Sequence, residues 1–349
     1  MSEDITEVPA APAVEDAKPK ITAKELNKVN DYITKKYGED IIIVPGKKVD
    51  VVSTGSIGLD LAIGIGGLPR GRICDFYGLP SAGKSMLASS VIAQVQKAGG
   101  KCVLIDAENG FDEHWASILG VNADPNELIR IFPDTGEQAF DMTEEYLNAG
   151  IDLIVIDSTA ALVPKEFLER SMEDSALIGL QARMISRGCQ KLVSVVRRTR
   201  GIVLFIDQVR KKIGTFVGHG EAESPTGGLA LEFYSSVRVR VQRKEALKDG
   251  DMLLGHKIEV QVKKNKLAPP LKKAAFDLFY DGGIDNASEI FEAATSLGVI
   301  TKPETGIKYF YKDKSWTGQE KLRTEIKENK ELQAELLVGI REKLRPTAK

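Results

Sequence analysis

Cysteine is scarce in this chain. Cys74, Cys102 and Cys189 are the only three among 349 residues, and no two of them share a metal-ligand or disulfide-framework spacing. That excludes a zinc-finger or disulfide-stapled scaffold and suits a reducing compartment. No apolar run approaches the roughly 20 residues needed to cross a bilayer. The first residues are rich in acids and prolines where a secretory signal needs bases and an apolar stretch. The expectation is a cytoplasmic protein with no membrane partner. Charge of one sign is also lacking: the net value is −2. A general pull toward polyanions is thereby excluded, so any contact with nucleic acid must come from local basic clusters. There is no internal repeat to suggest a solenoid.

Punctuation along the chain predicts four segments. Residues 1–20 carry Pro9, Pro12, Pro19 and five acids between Glu3 and Asp16, the composition of a disordered acidic leader. Residues 21–48 open with Thr22 and Glu25 in capping-box spacing, continue with Leu26, Val29, Ile33 and Tyr37 on one helical face, and stop at Gly38. A β-branched run, Asp40–Val44, follows. This helix and strand either fold back on the core or dock on another subunit. Residues 49–284 alternate strand and helix patterns. Arg72–Tyr77, Val103–Asp106, Leu128–Phe132, Ile151–Asp157 and Ile202–Asp207 are strands, apolar enough for burial on both faces. Such runs imply an α/β fold with a mostly parallel twisted sheet covered by helices. Ser236–Gln242, Lys257–Lys263 and Ala274–Tyr280 follow as three strands in succession, expected as antiparallel additions. Residues 285–349 form a small α+β segment: a helix at Ala287–Leu297, an aromatic patch at Tyr309–Tyr311 and Trp316, and a charged helix over Gly318–Leu344, continuous or broken. From residue 307 onward eleven Lys/Arg face seven Asp/Glu, a basic end.

The chemistry centres on Gly78-Leu79-Pro80-Ser81-Ala82-Gly83-Lys84-Ser85, a match to the phosphate-loop pattern G-x-x-x-x-G-K-[ST] between a strand and the helix Met86–Lys97. Glycines let the backbone approach phosphates closely, and the helix start adds N–H groups and positive partial charge. Lys84 would reach the β- and γ-phosphates, and the Ser85 hydroxyl would hold Mg²⁺. A second carboxylate for the Mg²⁺ shell belongs at the end of another strand, where Asp157 stands. Glu108 follows the strand Val103–Asp106 at the same edge and is a candidate to orient or deprotonate water. Gln208 ends the strand Leu204–Asp207, where an amide can sense the terminal phosphate and pass its loss to the following segment. That segment, Val209–Gly228, holds Arg210, Lys211, Lys212 and five glycines without clear periodicity. It is expected to be a long basic loop suited to a phosphodiester chain. A second irregular stretch, Glu169–Gly179, leads into a helix with Arg183 and Arg187 one turn apart.

Taken together, these motifs resemble those of the RecA-type homologous recombinases over about residues 21–330. The resemblance rests on Ser53-Thr54-Gly55-Ser56, Gly66-Gly67-Leu68-Pro69, the phosphate loop, Ile105-Asp106-Ala107-Glu108, Pro133–Ala139, Asp157-Ser158, Gln208-Val209-Arg210, Thr226-Gly227-Gly228 and Lys264-Asn265-Lys266. It implies a P-loop ATPase core that uses ATP and Mg²⁺ and forms a helical filament on single-stranded DNA. That filament pairs with homologous double-stranded DNA and exchanges strands, aided by single-strand-binding or loader proteins. It implies Glu108 as catalytic base, Gln208 as switch, and Asp112, Trp115 and Tyr280 around the adenine. Lys264 and Lys266 would reach the ATP of a neighbouring subunit, and the segment 21–48 would be the arm docking on it. DNA contacts would come from Arg183, Ser186, Arg187, Arg210, Gly227 and Gly228, with Phe216 as the aromatic of the second loop. The first loop is one residue longer than usual near Ala176–Ile178 and the second two residues longer near Glu221–Pro225. Gln190 stands where the family often has arginine, Asp207 where it has asparagine, and the chain ends in basic residues, not an acidic tail. A hexameric motor on the same core would need a large N-terminal helical domain and a trans-acting arginine; the short N-terminal segment and the paired lysines point away from it. A nucleotide-gated DNA-coating scaffold is the third reading, and the presence of both Glu108 and Gln208 points away from that.

Overall fold

Thr22 opens the first helix, α1 (Ala23–Tyr37), in a computed structural model that describes residues 21–38, 49–169, 179–217, 220–225, 228–303 and 306–344, with 210–217 and 220–225 described by their main chain alone. The chain divides into two units, Met1–Lys48 and Val49–Lys349. In the first, the Thr22 side chain accepts from the Glu25 N–H at 3.3 Å and the Glu25 carboxylate accepts from the Thr22 N–H at 2.9 Å, the reciprocal cap that the spacing predicts. Gly38 ends the helix at φ 100°. The expected leader (1–20) and strand Asp40–Val44 lie outside the described residues.

In the second unit, β1 (Val51–Val52) pairs with β2 (Leu68–Pro69), with α2 (Ile57–Ile63) between them. Then come β3 (Arg72–Gly78), α3 (Lys84–Lys97), β4 (Cys102–Asp106), α4 (Glu113–Ile118), β5 (Leu128–Ile131), α5 (Gly136–Asn148) and β6 (Leu153–Asp157). They are followed by α6 (Lys165–Glu169), α7 (Leu180–Thr199), β7 (Ile202–Val217), β8 (Gly220–Pro225), α8 (Ala230–Tyr234) and β9 (Val237–Asp249). The chain continues through β10 (Met252–Asn265), β11 (Lys273–Phe279), β12 (Gly283–Ile284) and α9 (Asn286–Ser296), and on through β13 (Lys308–Tyr311), β14 (Lys314–Thr317), α10 (Gln319–Glu328) and α11 (Lys330–Leu344). The main sheet has the order β12-β11-β10-β9-β3-β7-β6-β4-β5, with β8 paired to β7.

Strands β3, β4, β6 and the first residues of β7 carry almost continuous apolar runs because helices cover both faces, whereas β9 opens by alternating Val with Arg. One core joins α2 and α3 to the sheet through residues such as Leu59, Ile92 and Val241; the other joins α5 and α7 through Phe140, Ile185 and Phe205. Close packing there is visible at Gly188, where a Cβ would lie 2.4 Å from the Phe140 ring. A third cluster gathers α9, α10 and α11 around Ile290, Leu322 and Leu336. The charged segment 318–344 is broken in two: Asn329 leaves helical geometry at ψ 96°, and its side chain accepts from the N–H groups of Glu331 and Leu332. Among the described residues, no helix is long and apolar enough to cross a membrane.

The main chain departs from sequence expectation in two places. Of the three late strands expected to join antiparallel, β9 joins the sheet parallel to β3, while β10 pairs antiparallel with β9 and β11 antiparallel with β10; the short β12 then adds antiparallel to β11. The turn through α8 returns the chain to the edge where β3 starts, and the Ser236 N–H donates to the Ile73 carbonyl at 2.8 Å. The segment expected as an irregular loop over Val209–Gly228 is instead largely a β-hairpin. Val209 pairs with Pro225 and Val217 with Gly220, with a register break between Lys211 and Phe216. Gly214 falls within the break, so it interrupts the ladder without preventing it.

Candidate functional site

The carboxyl ends of β3, β4, β6 and β7 open onto one cavity of about 460 Å³, where ligands gather in open parallel sheets. Its floor is the turn Gly78–Ser85. Gly78 has no room for a side chain, since a Cβ would lie 2.2 Å from the Val241 carbonyl oxygen. Gly83, at φ 94°, turns the chain into α3, and Ser81 takes φ 57°. Lys84 is only 6% exposed, and its Nζ donates to the carbonyls of Gly78 (3.1 Å) and Leu79 (2.8 Å). Burial pulls its pKa down, against the nearby carboxylates of Asp157 and Glu108. Burial likewise pushes Asp157 up to about 6, opposed by the hydrogen bond from the Ser85 hydroxyl and helped by the neighbouring Glu108 and Asp106 charges.

Glu108 sits across the cavity on the loop after β4. The Ala107 and Glu108 N–H groups donate to the Asp157 carbonyl at 2.7 and 3.3 Å, which ties that loop to β6. Buried Asp106 shapes the rest of the loop by accepting from the N–H groups of Gly110 (2.9 Å) and Phe111 (3.1 Å). Two donors grip the Glu108 carboxylate: the Ser158 hydroxyl and the Gln208 amide, the latter at 2.6 Å. The site thus draws together Pro80, Ser81, Ala82, Gly83, Lys84, Ser85, Glu108, Trp115, Asp157, Gln208 and Tyr280.

An aromatic wall closes one end. Trp115 and Tyr280 meet edge to face at 5.4 Å, and His256 meets Tyr280 in the same way at 5.8 Å. Asp112 does not line this cavity. Its carboxylate caps α4 by accepting from the Trp115 N–H at 3.1 Å, and it borders an adjoining cavity of about 270 Å³. Sequence reasoning missed His256, Arg243, Ile258 and Leu278, which also line the main cavity. The available signal was period two: His256 and Ile258 share one face of β10.

Lys264 and Lys266 lie outside this cavity. Lys264 donates to the carbonyls of Glu232 and Phe233 and borders a separate cavity of about 550 Å³; Lys266 donates to the Phe233 carbonyl at 3.2 Å. Arg183 and Arg187 are exposed along α7 and line a groove with Lys191, while Ser186 is half-buried. The Gln181 amide donates to the carbonyls of Thr159, Ala160 and Leu162 and so fastens α7 to the turn after β6. Arg210, Lys211, Lys212 and Phe216 lie on β7, described through their main chain. Gly228 adopts φ 75° against Ala182, and Gly227 lies outside the described residues, as does most of Glu169–Gly179.

A buried charge cluster that sequence reasoning also missed lies behind the phosphate loop. Arg238 donates to Asp75 at 2.6 Å and to Glu232 at 3.2 Å, stands 3.8 Å from Asp207, and stacks on the Tyr77 ring at 4.1 Å. Burial pushes Asp75 up to about 7, held back by Arg238.

Comparison with known proteins gives the context. A family model of the RecA N-terminal domain matches residues 24–285. Protein RecA of Bordetella pertussis (strain Tohama I) is 45% identical over 327 residues, 92% of this chain and 91% of that protein. Protein RecA of Legionella pneumophila (strain Corby) is 43% identical over 328 residues, 92% of each chain. A solved structure of the RadB recombinase aligns with 66% of this chain and 98% of its own at 21% identity and a TM-score of 0.49, too loose a likeness to locate anything in the site. With curated relatives matched over nine-tenths of its length, the chain belongs to the RecA family, the ATP-dependent homologous recombination proteins.

Proposed function

We propose that the cavity is the ATPase site of a recombinase that forms a filament on single-stranded DNA and pairs it with a homologous duplex. One observation carries this: a glutamate gripped by a serine and a glutamine shares a cavity with a phosphate loop whose lysine is buried. The N–H groups of 81–85 and the Lys84 ammonium bind the β- and γ-phosphates once Lys84 leaves the Gly78 and Leu79 carbonyls. The donor set suits Mg²⁺. Ser85 and Asp157 offer hard oxygen ligands, and among the described residues no cluster of three or more His, Cys, Asp or Glu forms a protein-only cage, so the ion arrives with the nucleotide. When bound, Mg²⁺ offsets the phosphate charge that builds during transfer.

Glu108 orients the attacking water and takes its proton. Gln208 leaves Glu108 for the terminal phosphate and returns when that phosphate is gone, and this exchange moves the start of the β7–β8 hairpin. The hairpin, with Arg210, Lys211, Lys212 and Phe216, the glycines Gly227 and Gly228 that follow it in the chain, and the helix face with Arg183, Ser186 and Arg187 grip the DNA backbone, so that base pairing supplies specificity. Trp115 and Tyr280 part to admit the adenine, with Asp112 beside them. Lys264 and Lys266, outside their own cavity, complete the site of the neighbouring subunit, which makes turnover depend on assembly. The Glu108→Gln variant tests the reading. It should bind ATP and single-stranded DNA as the parent does and lose turnover by about 100-fold or more. Retained turnover would remove Glu108 from the reaction.

A further inference from the structure

The two groups that grip Glu108 come from different strands: Ser158 follows β6 and Gln208 extends along β7. Their immediate neighbours are joined to each other. The Thr159 hydroxyl donates to the Asp207 carboxylate at 2.7 Å, and both residues are wholly buried. The linkage closes a ring that runs from Glu108 to Ser158, Thr159, Asp207, Gln208 and back to Glu108. Among the described residues the other acceptor near the Thr159 hydroxyl is the more distant Ile206 carbonyl, at 3.4 Å, so Asp207 sets its orientation. Asp207 is anchored in turn by Arg238 at 3.8 Å, which Asp75 and Glu232 hold in place. Burial pushes the Asp207 carboxyl up, held back by the Thr159 hydroxyl and the Arg238 guanidinium.

We propose that Asp207 is a positioning residue for ATP hydrolysis: through Thr159 it fixes the spacing of Ser158 and Gln208, and so holds the Glu108 carboxylate in place. This rests on the ATPase reading of the cavity. Asp207 is buried and does not line the cavity. Its loss therefore acts on turnover and leaves nucleotide binding alone, which separates it from a group that merely shapes the pocket. An asparagine at 207 still offers an oxygen to Thr159, so it keeps the ring.

The test is steady-state ATP hydrolysis at saturating single-stranded DNA, alongside nucleotide affinity by calorimetry, for the parent, D207A, D207N, T159V, T159S and the double variant D207A/T159V. D207A and T159V should each lower kcat about tenfold, with KM and nucleotide Kd within twofold of the parent. The double variant should be no slower than D207A, because both changes remove one bond. D207N and T159S should recover most of the lost kcat. Four results overturn the proposal: kcat of D207A within twofold of the parent, D207N as slow as D207A, a loss that appears in KM or Kd, or multiplicative losses in the double variant. Should D207A fail to fold, T159V removes the same bond with a nearly isosteric side chain and decides alone. A parent chain without ATP turnover refutes the ATPase reading and this role with it, whereas an active parent beside an unaffected T159V refutes the role alone.

Discussion

Glu289 offers a perturbation whose size can be worked from the structure. This side chain of α9 is 5% exposed and accepts from three donors more than 230 residues away: the Ser56 hydroxyl at 2.6 Å and the N–H groups of Ile57 at 3.1 Å and Gly58 at 3.0 Å. It thereby caps α2 and latches the last helical cluster to the core. Burial pushes its pKa from 4.5 up to about 7, against those same hydrogen bonds and with help from the nearby Asp60 charge. A raised pKa means that the folded chain binds the proton more tightly than the unfolded chain. Glu289 thus contributes stability that is fully present below pH 4.5 and is lost as pH rises through about 7. Linkage between those two values makes the folded chain about 2.5 kcal/mol less stable at pH 8 than at pH 5 through this carboxyl alone. Glu289→Ala removes that slope and leaves the three donors without their acceptor, a loss of roughly 1–3 kcal/mol at pH 5. Urea unfolding of parent and variant at pH 5, 6, 7 and 8 measures both effects. The stability of the parent minus that of the variant should fall by about 2–3 kcal/mol from pH 5 to pH 8, so that the gap closes or changes sign. A gap that stays constant, or widens with pH, would refute the reasoning: the three donors would then outweigh burial and keep the carboxylate ionised.

Three further outcomes follow from particular contacts. Gly188→Ala places a methyl 2.4 Å from the Phe140 ring, so it should destabilise the chain by about 1–3 kcal/mol in thermal unfolding while nucleotide affinity stays within twofold. Ser158→Ala removes one of the two donors on Glu108 and should slow ATP turnover about tenfold at unchanged KM, as steady-state kinetics will report. Trp115 packs on Tyr280, so adding ATP should change indole fluorescence, and Trp115→Ala should weaken ATP binding by about 1 kcal/mol, or several-fold, in calorimetry.

Much of this molecule was legible in its sequence because the relevant signals are local. The phosphate loop, the apolar run ending at Asp157 and the placement of Glu108 and Gln208 after buried strands each depend on fewer than ten consecutive residues, and parallel strands place their ends at one edge. What escaped depends on register between distant strands. Arg238 looks like an exposed strand residue until β9 is laid parallel to β3, which sets it opposite Asp75. Asp207 looks like a mere replacement beside the glutamine until β6 and β7 bring Thr159 within 2.7 Å. His256 lies in a part of β10 with no motif of its own and reaches the cavity because β10 pairs with β11, which brings it beside Tyr280. The hairpin over 209–225 was masked by its glycines, which suggest a loop although the flanking residues can pair.

The most direct test of the account is ATP hydrolysis with and without long single-stranded DNA, with Lys84→Ala as the blank. The account predicts strong stimulation that saturates at a fixed number of nucleotides per protomer, and an inactive Lys84→Ala protein. A high rate without DNA that DNA leaves unchanged, or turnover that survives Lys84→Ala, would contradict it.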